Sequence, residues 1–113
     1  MNHNELNILW TNADPITSEH MVFLYAINAK KRGWFEKVNL IIWGSTAALA
    51  VDDQRINQLV KEAMQVGINV IGCIHCAKAL GKEEALTDMG IKLSGMGMPL
   101  TDILKNKENL LTV

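Results

Sequence analysis

The sequence predicts an α/β fold, a three-layer α/β/α sandwich around a mainly parallel sheet of about five strands. Short apolar segments rich in β-branched residues alternate along the chain with segments of helical periodicity, and the connections between them are short. Residues 38–43 are almost continuously apolar, which is typical of a parallel strand covered on both faces. Together these features favour parallel strands joined by helices.

A first helix follows the strand predicted at residues 6–10. Either Asp14 caps it, with Pro15 at its first position, or a later start is capped by Thr17 or Ser18. One stripe of this helix is made of Met21, Leu24, Tyr25 and Asn28.

The second helix has the clearest periodicity in the chain. Asp52 or Asp53 caps it, and Gly67 ends it. Its apolar stripe falls at helical spacing and consists of Ile56, Leu59, Val60, Ala63 and Met64.

The third strand leads directly into the only two cysteines of the sequence. Its apolar run covers residues 68–71 and is interrupted by Gly72. Helix-forming residues follow from Cys76 to Leu80, and Gly81 is a natural stop. A helix at residues 83–89, a short strand at 91–93, a flexible loop at 94–99, a helix opened by Pro99 and a strand at 109–113 complete the prediction.

Length and composition limit the classes of function. The 113 residues are expected to form one domain, residues 1–113, with its own core. A formal net charge of −1 gives no indication of nucleic-acid binding. No stretch is long enough to span a bilayer, and the N-terminal segment lacks the pattern of a signal peptide. Two closely spaced cysteines in such a chain indicate a reducing compartment.

The C-x-x-C formed by Cys73 and Cys76 is the strongest chemical signal. It is expected where a strand ends and a helix begins, and unpaired N–H groups at a helix start stabilise a thiolate. Because Cys73 precedes the helix and Cys76 falls within its first turn, Cys73 is predicted to have the lower pKa and to react first, with Cys76 as a resolving thiol. The alternative is a pair of small buried core residues.

No metal or cofactor is predicted. A structural zinc site needs about four ligands, and only three histidines accompany the cysteines, one of them, His75, inside the motif. His75 is a candidate for lowering a thiol pKa or moving a proton, with a solvated loop histidine as the alternative.

Other candidate residues follow the predicted strands, where ligands bind in parallel sheets. Each also has an ordinary structural explanation as a cap, a turn residue or a packing residue. These auxiliary or ligand-binding candidates are Asn12, Asp14, Gly44, Ser45 and Met96. Which of them meet depends on strand order, which the sequence does not determine.

The chain resembles the DsrE/DsrF-like family. The resemblance rests on the alternating strands and helices and on the pattern Cys73-x-x-Cys76-Ala77-x-Ala79-Leu80-Gly81. It also rests on Gly90-Ile91, on Gly97-Met98-Pro99-Leu100 and on the apolar C-terminal strand. It implies a small cytoplasmic α/β protein, a trimer or hexamer, with Cys73 at the position where sulfur-relay members carry a persulfide.

These features lead to a leading hypothesis and two alternatives. The first is a sulfur carrier or sulfurtransferase-like protein that exchanges sulfur with donor and acceptor proteins, with Cys73 taking a sulfane sulfur and Cys76 releasing it through a disulfide. The alternatives are a dithiol redox protein and a non-enzymatic module for small-ligand binding or assembly. Three tryptophans and six methionines on a small domain of low charge also indicate a homo-oligomer.

Overall fold

Five β-strands form one sheet in the computed structural model, which describes residues 3–113. Met1 and Asn2, the start of the segment in which no signal peptide is expected, lie outside the described residues. The strands are β1 (Glu5–Trp10), β2 (Lys37–Ile42), β3 (Asn69–Cys73), β4 (Lys92–Ser94) and β5 (Asn109–Thr112). Their order is β4-β3-β2-β1-β5, and every neighbouring pair is parallel.

Helices fill the connections between strands. The first connection is one continuous helix in three parts, of which the middle one is π-helical. The helical elements are α1 (Pro15–Thr17), a π-helical segment (Ser18–Phe23), α2 (Leu24–Lys31), α3 (Thr46–Asp52), α4 (Gln54–Gln65), α5 (Ile74–Ala79), α6 (Glu83–Asp88) and α7 (Gly97–Lys105). Within residues 3–113, none of them has both the length and the apolar character needed to cross a membrane.

The strand order divides the helices unequally between the two faces of the sheet. From β1 to β4 the chain moves steadily in one direction, whereas β5 returns to pair with the opposite side of β1. Right-handed crossovers therefore place α1 to α6 on one face, here called the thick face, and α7 on the other, here called the thin face. Phe23 and Val60 pack with Leu40 on the thick face, and Ile103 of α7 packs with Ile41 on the thin face. The predicted three-layer α/β/α sandwich is confirmed.

Both predicted acidic helix caps are present. Asp14 Oδ2 accepts the Thr17 N–H at 2.8 Å, so the earlier of the two predicted starts is the observed one. Asp53 Oδ1 accepts the Ile56 N–H at 2.9 Å and caps α4. Of the predicted α4 stripe, Ile56, Leu59, Val60 and Ala63 are buried.

The predicted stripe of the first helix is wrong. Met21 and Leu24 are exposed, and the residues that this helix buries instead are Val22, Phe23, Ala26 and Ala29. The buried residues Val22, Ala26 and Ala29 also have helical spacing, so the sequence offers two stripes and packing against the sheet selects this one. The helix contains the π-helical segment, in which the Leu24 N–H reaches back to the Glu19 carbonyl, and Phe23 packs edge-on against Trp10 with ring centroids 5.0 Å apart.

Among the boundaries that differ from the predictions, three lie next to the cysteines or the loop that follows β4. Gly72 lies inside β3 instead of interrupting it. Glycine is needed at this position because a Cβ would stand 2.8 Å from Leu93 Cδ2 of the neighbouring strand. The α5 helix begins at Ile74, two residues before Cys76. The α7 helix begins at Gly97, two residues before Pro99, which the first turn tolerates because its N–H groups have no intrahelical partner.

Candidate functional site

Both cysteines lie where β3 passes into α5. Cys73 is the last residue of the strand and the N-cap of the helix, and Cys76 lies in the first helical turn. Both are free thiols, Cys73 buried and Cys76 partly exposed. The strand-to-helix position predicted for the motif is therefore the one observed.

Cys73 points away from the start of α5 and into the thin face. Its side chain packs in a cluster with Ile41, Met96 and Ile103 and is 6% exposed. It makes no capping hydrogen bond with the first turn of α5. The expectation that several N–H groups of this turn would reach the Cys73 sulfur is therefore wrong, because the N-cap side chain is directed into an apolar cluster.

The N–H group that does reach a cysteine sulfur comes from another strand. Gly44, just after β2, donates its N–H to Cys76 Sγ at 3.2 Å. Gly44 has a φ of +70°, a backbone conformation that side-chain-bearing residues rarely adopt. Thr46 supports this turn: its Oγ1 lies 2.9 Å from the Trp10 carbonyl oxygen and accepts the Trp43 N–H at 3.2 Å. The ends of β1, β2 and β3 are thus joined around Cys76.

The two thiols influence each other. Burial raises the pKa of the Cys76 thiol, the Gly44 N–H opposes that rise, and the hydrogen bond and charge of neighbouring Cys73 add to it. Cys76 is therefore held in its neutral thiol form at neutral pH.

Met96 covers Cys73 on the thin face. It is 2% exposed and belongs to the same cluster as Cys73. Ser94, at the end of β4, donates its Oγ–H to Met96 Sδ at 3.5 Å. Ser94 also pairs in register with Cys73, so the two side chains emerge on the same face of adjacent strands.

The remaining predicted residues occupy different surroundings. Asn12 Oδ1 accepts the Asp14 N–H at 2.9 Å, and the Thr17 N–H bonded to Asp14 holds the pKa of that carboxyl below its usual range. Asn12 and Asp14 therefore organise the start of α1. Ser45 is the exposed N-cap of α3 and makes no capping hydrogen bond, and His75 is exposed on α5.

Sequence reasoning missed Thr46 and Ser94. Thr46 directly follows the predicted candidates Gly44 and Ser45, but its buried hydroxyl bridges two strand ends only because β1 and β2 are neighbours. The sequence predicts Ser94 in a flexible loop, whereas it is the last residue of β4. No local sequence signal distinguishes either residue from an ordinary turn residue.

Open depressions occur away from the cysteines. One of about 470 Å³ lies beside α5 and α6 and is lined by Lys78, Gly81, Glu83, Glu84, Thr87 and Asp88. Its lining contains neither thiol. In the described part of the chain, no group of three or more His, Cys, Asp or Glu side chains is arranged to hold a metal ion.

Two solved structures are similar to this chain. The conserved protein of unknown function BT1422 from Bacteroides thetaiotaomicron has 36% sequence identity and a TM-score of 0.95, and the match covers 97% of this chain and 95% of that one. The ychN protein from E. coli has 15% identity and a TM-score of 0.71, covering 96% of this chain and 99% of that one. At 15% identity the second likeness is one of fold. No protein-family model matches the sequence, and a comparison with curated proteins finds no match.

Proposed function

We propose, from the premise that this chain belongs to the family of the Bacteroides thetaiotaomicron protein BT1422, that it is a sulfur carrier holding a persulfide on Cys73. The observation that supports this most directly is the position of two free thiols at one strand end, with Cys73 in an apolar cluster. An enclosed apolar site protects a reactive intermediate from side reactions. The fold is also consistent with the DsrE-like family that the sequence resembles.

Loading would proceed by nucleophilic attack. The Cys73 thiolate attacks the outer sulfur of a donor persulfide, a bond forms between Cys73 Sγ and that sulfur, and the donor S–S bond breaks. The donor leaves as a thiolate and takes up the proton that Cys73 lost. No net oxidation occurs, because the sulfane sulfur only changes its carrier.

Release would use the second cysteine. The Cys76 thiolate attacks Cys73 Sγ, which forms a Cys73–Cys76 disulfide and expels hydrosulfide. A cellular dithiol then reduces the disulfide and restores both thiols. Because burial raises the pKa of Cys76, this residue is a neutral thiol before the step, and its proton passes to the outer sulfur, which leaves as hydrosulfide. A reducing, cytoplasmic setting suits this cycle.

Mass spectrometry after incubation with glutathione persulfide tests the proposal. We expect wild-type protein to gain one sulfur atom, Cys73→Ser to gain none, and Cys76→Ser to gain one and keep it longer. A wild-type protein without added sulfur, or an equal gain on Cys73→Ser, would overturn the proposal.

A dithiol oxidoreductase is a second candidate, favoured by the direct interaction between the two thiols. Turnover in insulin reduction with a dithiol donor, without any sulfur gain from persulfide, would select it. If neither activity appears and a double Cys→Ser variant is fully stable, the small-ligand-binding or assembly module is the better interpretation.

We also propose a homo-oligomer, with a trimer or a dimer of trimers as the expected form. Large apolar side chains that remain exposed in one chain support association. They include Ile16, Leu24 and Trp34. A monomeric mass by light scattering at micromolar concentration would refute this.

A further inference from the structure

Met96 closes the thin face over the thiol that the proposed function uses. Cys73 is 6% exposed and Met96 2% exposed, and both pack with Ile41 and Ile103. A sulfur donor therefore cannot reach Cys73 Sγ while the segment around Met96 keeps this position. Either the thiol is inert, or the segment opens.

The two glycines that flank Met96 are not required by the observed conformation. Gly95 and Gly97 both lack a positive φ, and a Cβ built on either would meet no atom within 4 Å. Gly72 differs, because a Cβ there would collide with a neighbouring strand. Glycine at positions 95 and 97 lowers stability through backbone entropy, and no steric constraint of the observed conformation requires it. Their use is explained if the backbone changes conformation at both positions.

Ser94 provides a hydrogen bond that can be exchanged. In the observed conformation, with Met96 over Cys73, the Ser94 hydroxyl donates to Met96 Sδ at 3.5 Å, and a thioether is a weak acceptor. Because Ser94 pairs with Cys73 across adjacent strands, the same hydroxyl lies beside the position of a sulfur attached to Cys73. A persulfide anion is a charged acceptor and would compete well for this donor.

We propose that Met96 is a displaceable lid whose thioether occupies the subsite for the outer sulfur of a Cys73 persulfide. Gly95 and Gly97 allow the lid to swing out during loading, when the donor S–S bond breaks and the new bond to Cys73 Sγ forms. The Ser94 hydroxyl then donates to the outer sulfur in place of Met96 Sδ. This inference rests on the proposed function for its ligand, but the lid itself can be measured without any sulfur donor.

Alkylation of Cys73 by iodoacetamide, in a Cys76→Ser background, measures opening of the lid. Because the rate follows the fraction of open protein, Met96→Ala should raise it by about fivefold or more. Met98→Ala is the matched control, since Met98 lies in the same segment and is 68% exposed, and it should leave the rate unchanged. The double variant with Gly95→Ala and Gly97→Ala should slow alkylation at an unchanged or higher Tm.

Ser94→Ala separates a lid from simple packing. It should speed alkylation of the free thiol, because Met96 loses its hydrogen bond, and shorten the lifetime of a loaded persulfide, because the outer sulfur loses its donor. If Met96 only packed over Cys73, Met96→Ala would shorten the persulfide lifetime as Ser94→Ala does, whereas a displaced lid predicts a shorter lifetime for Ser94→Ala alone. Equal alkylation rates in wild type, Met96→Ala and the double glycine variant would overturn the lid. Failure of wild-type protein to accept sulfur would overturn the proposed function and the sulfur subsite. The alkylation rates would still decide whether Met96 is a lid.

Discussion

On the thick face the sheet is covered by α1 to α6 with the π-helical segment, whereas on the thin face α7 alone covers it within residues 3–113. The thick face buries large side chains completely, among them Phe23, Leu40 and Leu86. On the thin face Leu9, Ile71 and Leu110 remain partly exposed around the Cys73 cluster. Stability therefore depends mainly on the thick face, and a change of conformation is less costly on the thin face.

The thin face is itself divided along the strands. At the carboxyl end lies the apolar cluster of Cys73, Met96 and Ile103. Towards the amino end, asparagines in register on three adjacent strands form a row, Asn7, Asn39 and Asn69. Asn39 Nδ2 donates to Asn7 Oδ1 at 2.9 Å and to Glu5 Oε2 at 2.7 Å, and Asn69 Nδ2 donates to Asn39 Oδ1 at 3.1 Å. Such a row holds the strands in register without a covering helix.

The largest expected effect is on the thick face. Phe23→Ala should lower the free energy of unfolding by about 3–5 kcal/mol, because a fully buried aromatic side chain leaves a cavity beside Trp10. The rate of Cys73 alkylation in the folded protein should stay unchanged. Urea unfolding and alkylation kinetics measure the two quantities.

The control for Phe23→Ala is Leu104→Ala on α7. Leu104 is 59% exposed, so its removal should change stability by less than about 0.5 kcal/mol. If Phe23→Ala cost no more than Leu104→Ala, the assignment of stability to the thick face would be wrong.

An intermediate effect is expected in the asparagine row. Asn39→Ala should cost about 1–3 kcal/mol, because it leaves the oxygen of Asn7, which is 4% exposed, without its donor. Asn106→Ala, at an exposed position outside the row, serves as the matched control in the same urea titration. Equal costs for the two variants would show that the row does not stabilise the thin face.

The smallest expected effect is the pH dependence contributed by Cys76. Its pKa is raised by burial, so the folded state binds this proton more tightly than the unfolded state does. Its contribution to stability is complete below the ordinary thiol pKa and is lost as the pH rises towards the raised value. Cys76→Ser should therefore lose less stability than wild type between neutral and alkaline pH. Urea midpoints of both proteins at the two pH values measure this, and a larger alkaline loss in Cys76→Ser would reverse the assigned direction.

Much of the fold could be predicted because its signals are local. Asp14 and Asp53 are followed by helical periodicity and cap their helices as expected, and four of the five residues of the predicted α4 stripe are buried. The stripe of the first helix could not be predicted, because Val22, Ala26 and Ala29 have helical spacing too and only packing against the sheet selects between the two stripes. Similarly, a glycine within an apolar run indicates a break, but Gly72 is required by its close approach to Leu93 on the next strand.

The sequence by itself determined the α/β class, the parallel strands and the position of Cys73 and Cys76 where a strand meets a helix, because periodicity, caps and turn residues act over a few residues. Only the tertiary structure decided what surrounds each thiol. Gly44 and Cys76 are 32 residues apart, and they meet because β2 and β3 are neighbours in the sheet. Met96 covers Cys73 because β4 pairs with β3 and α7 crosses the thin face on its way to β5. Contacts of this kind follow from strand order and crossover handedness, and no local pattern of residues determines them.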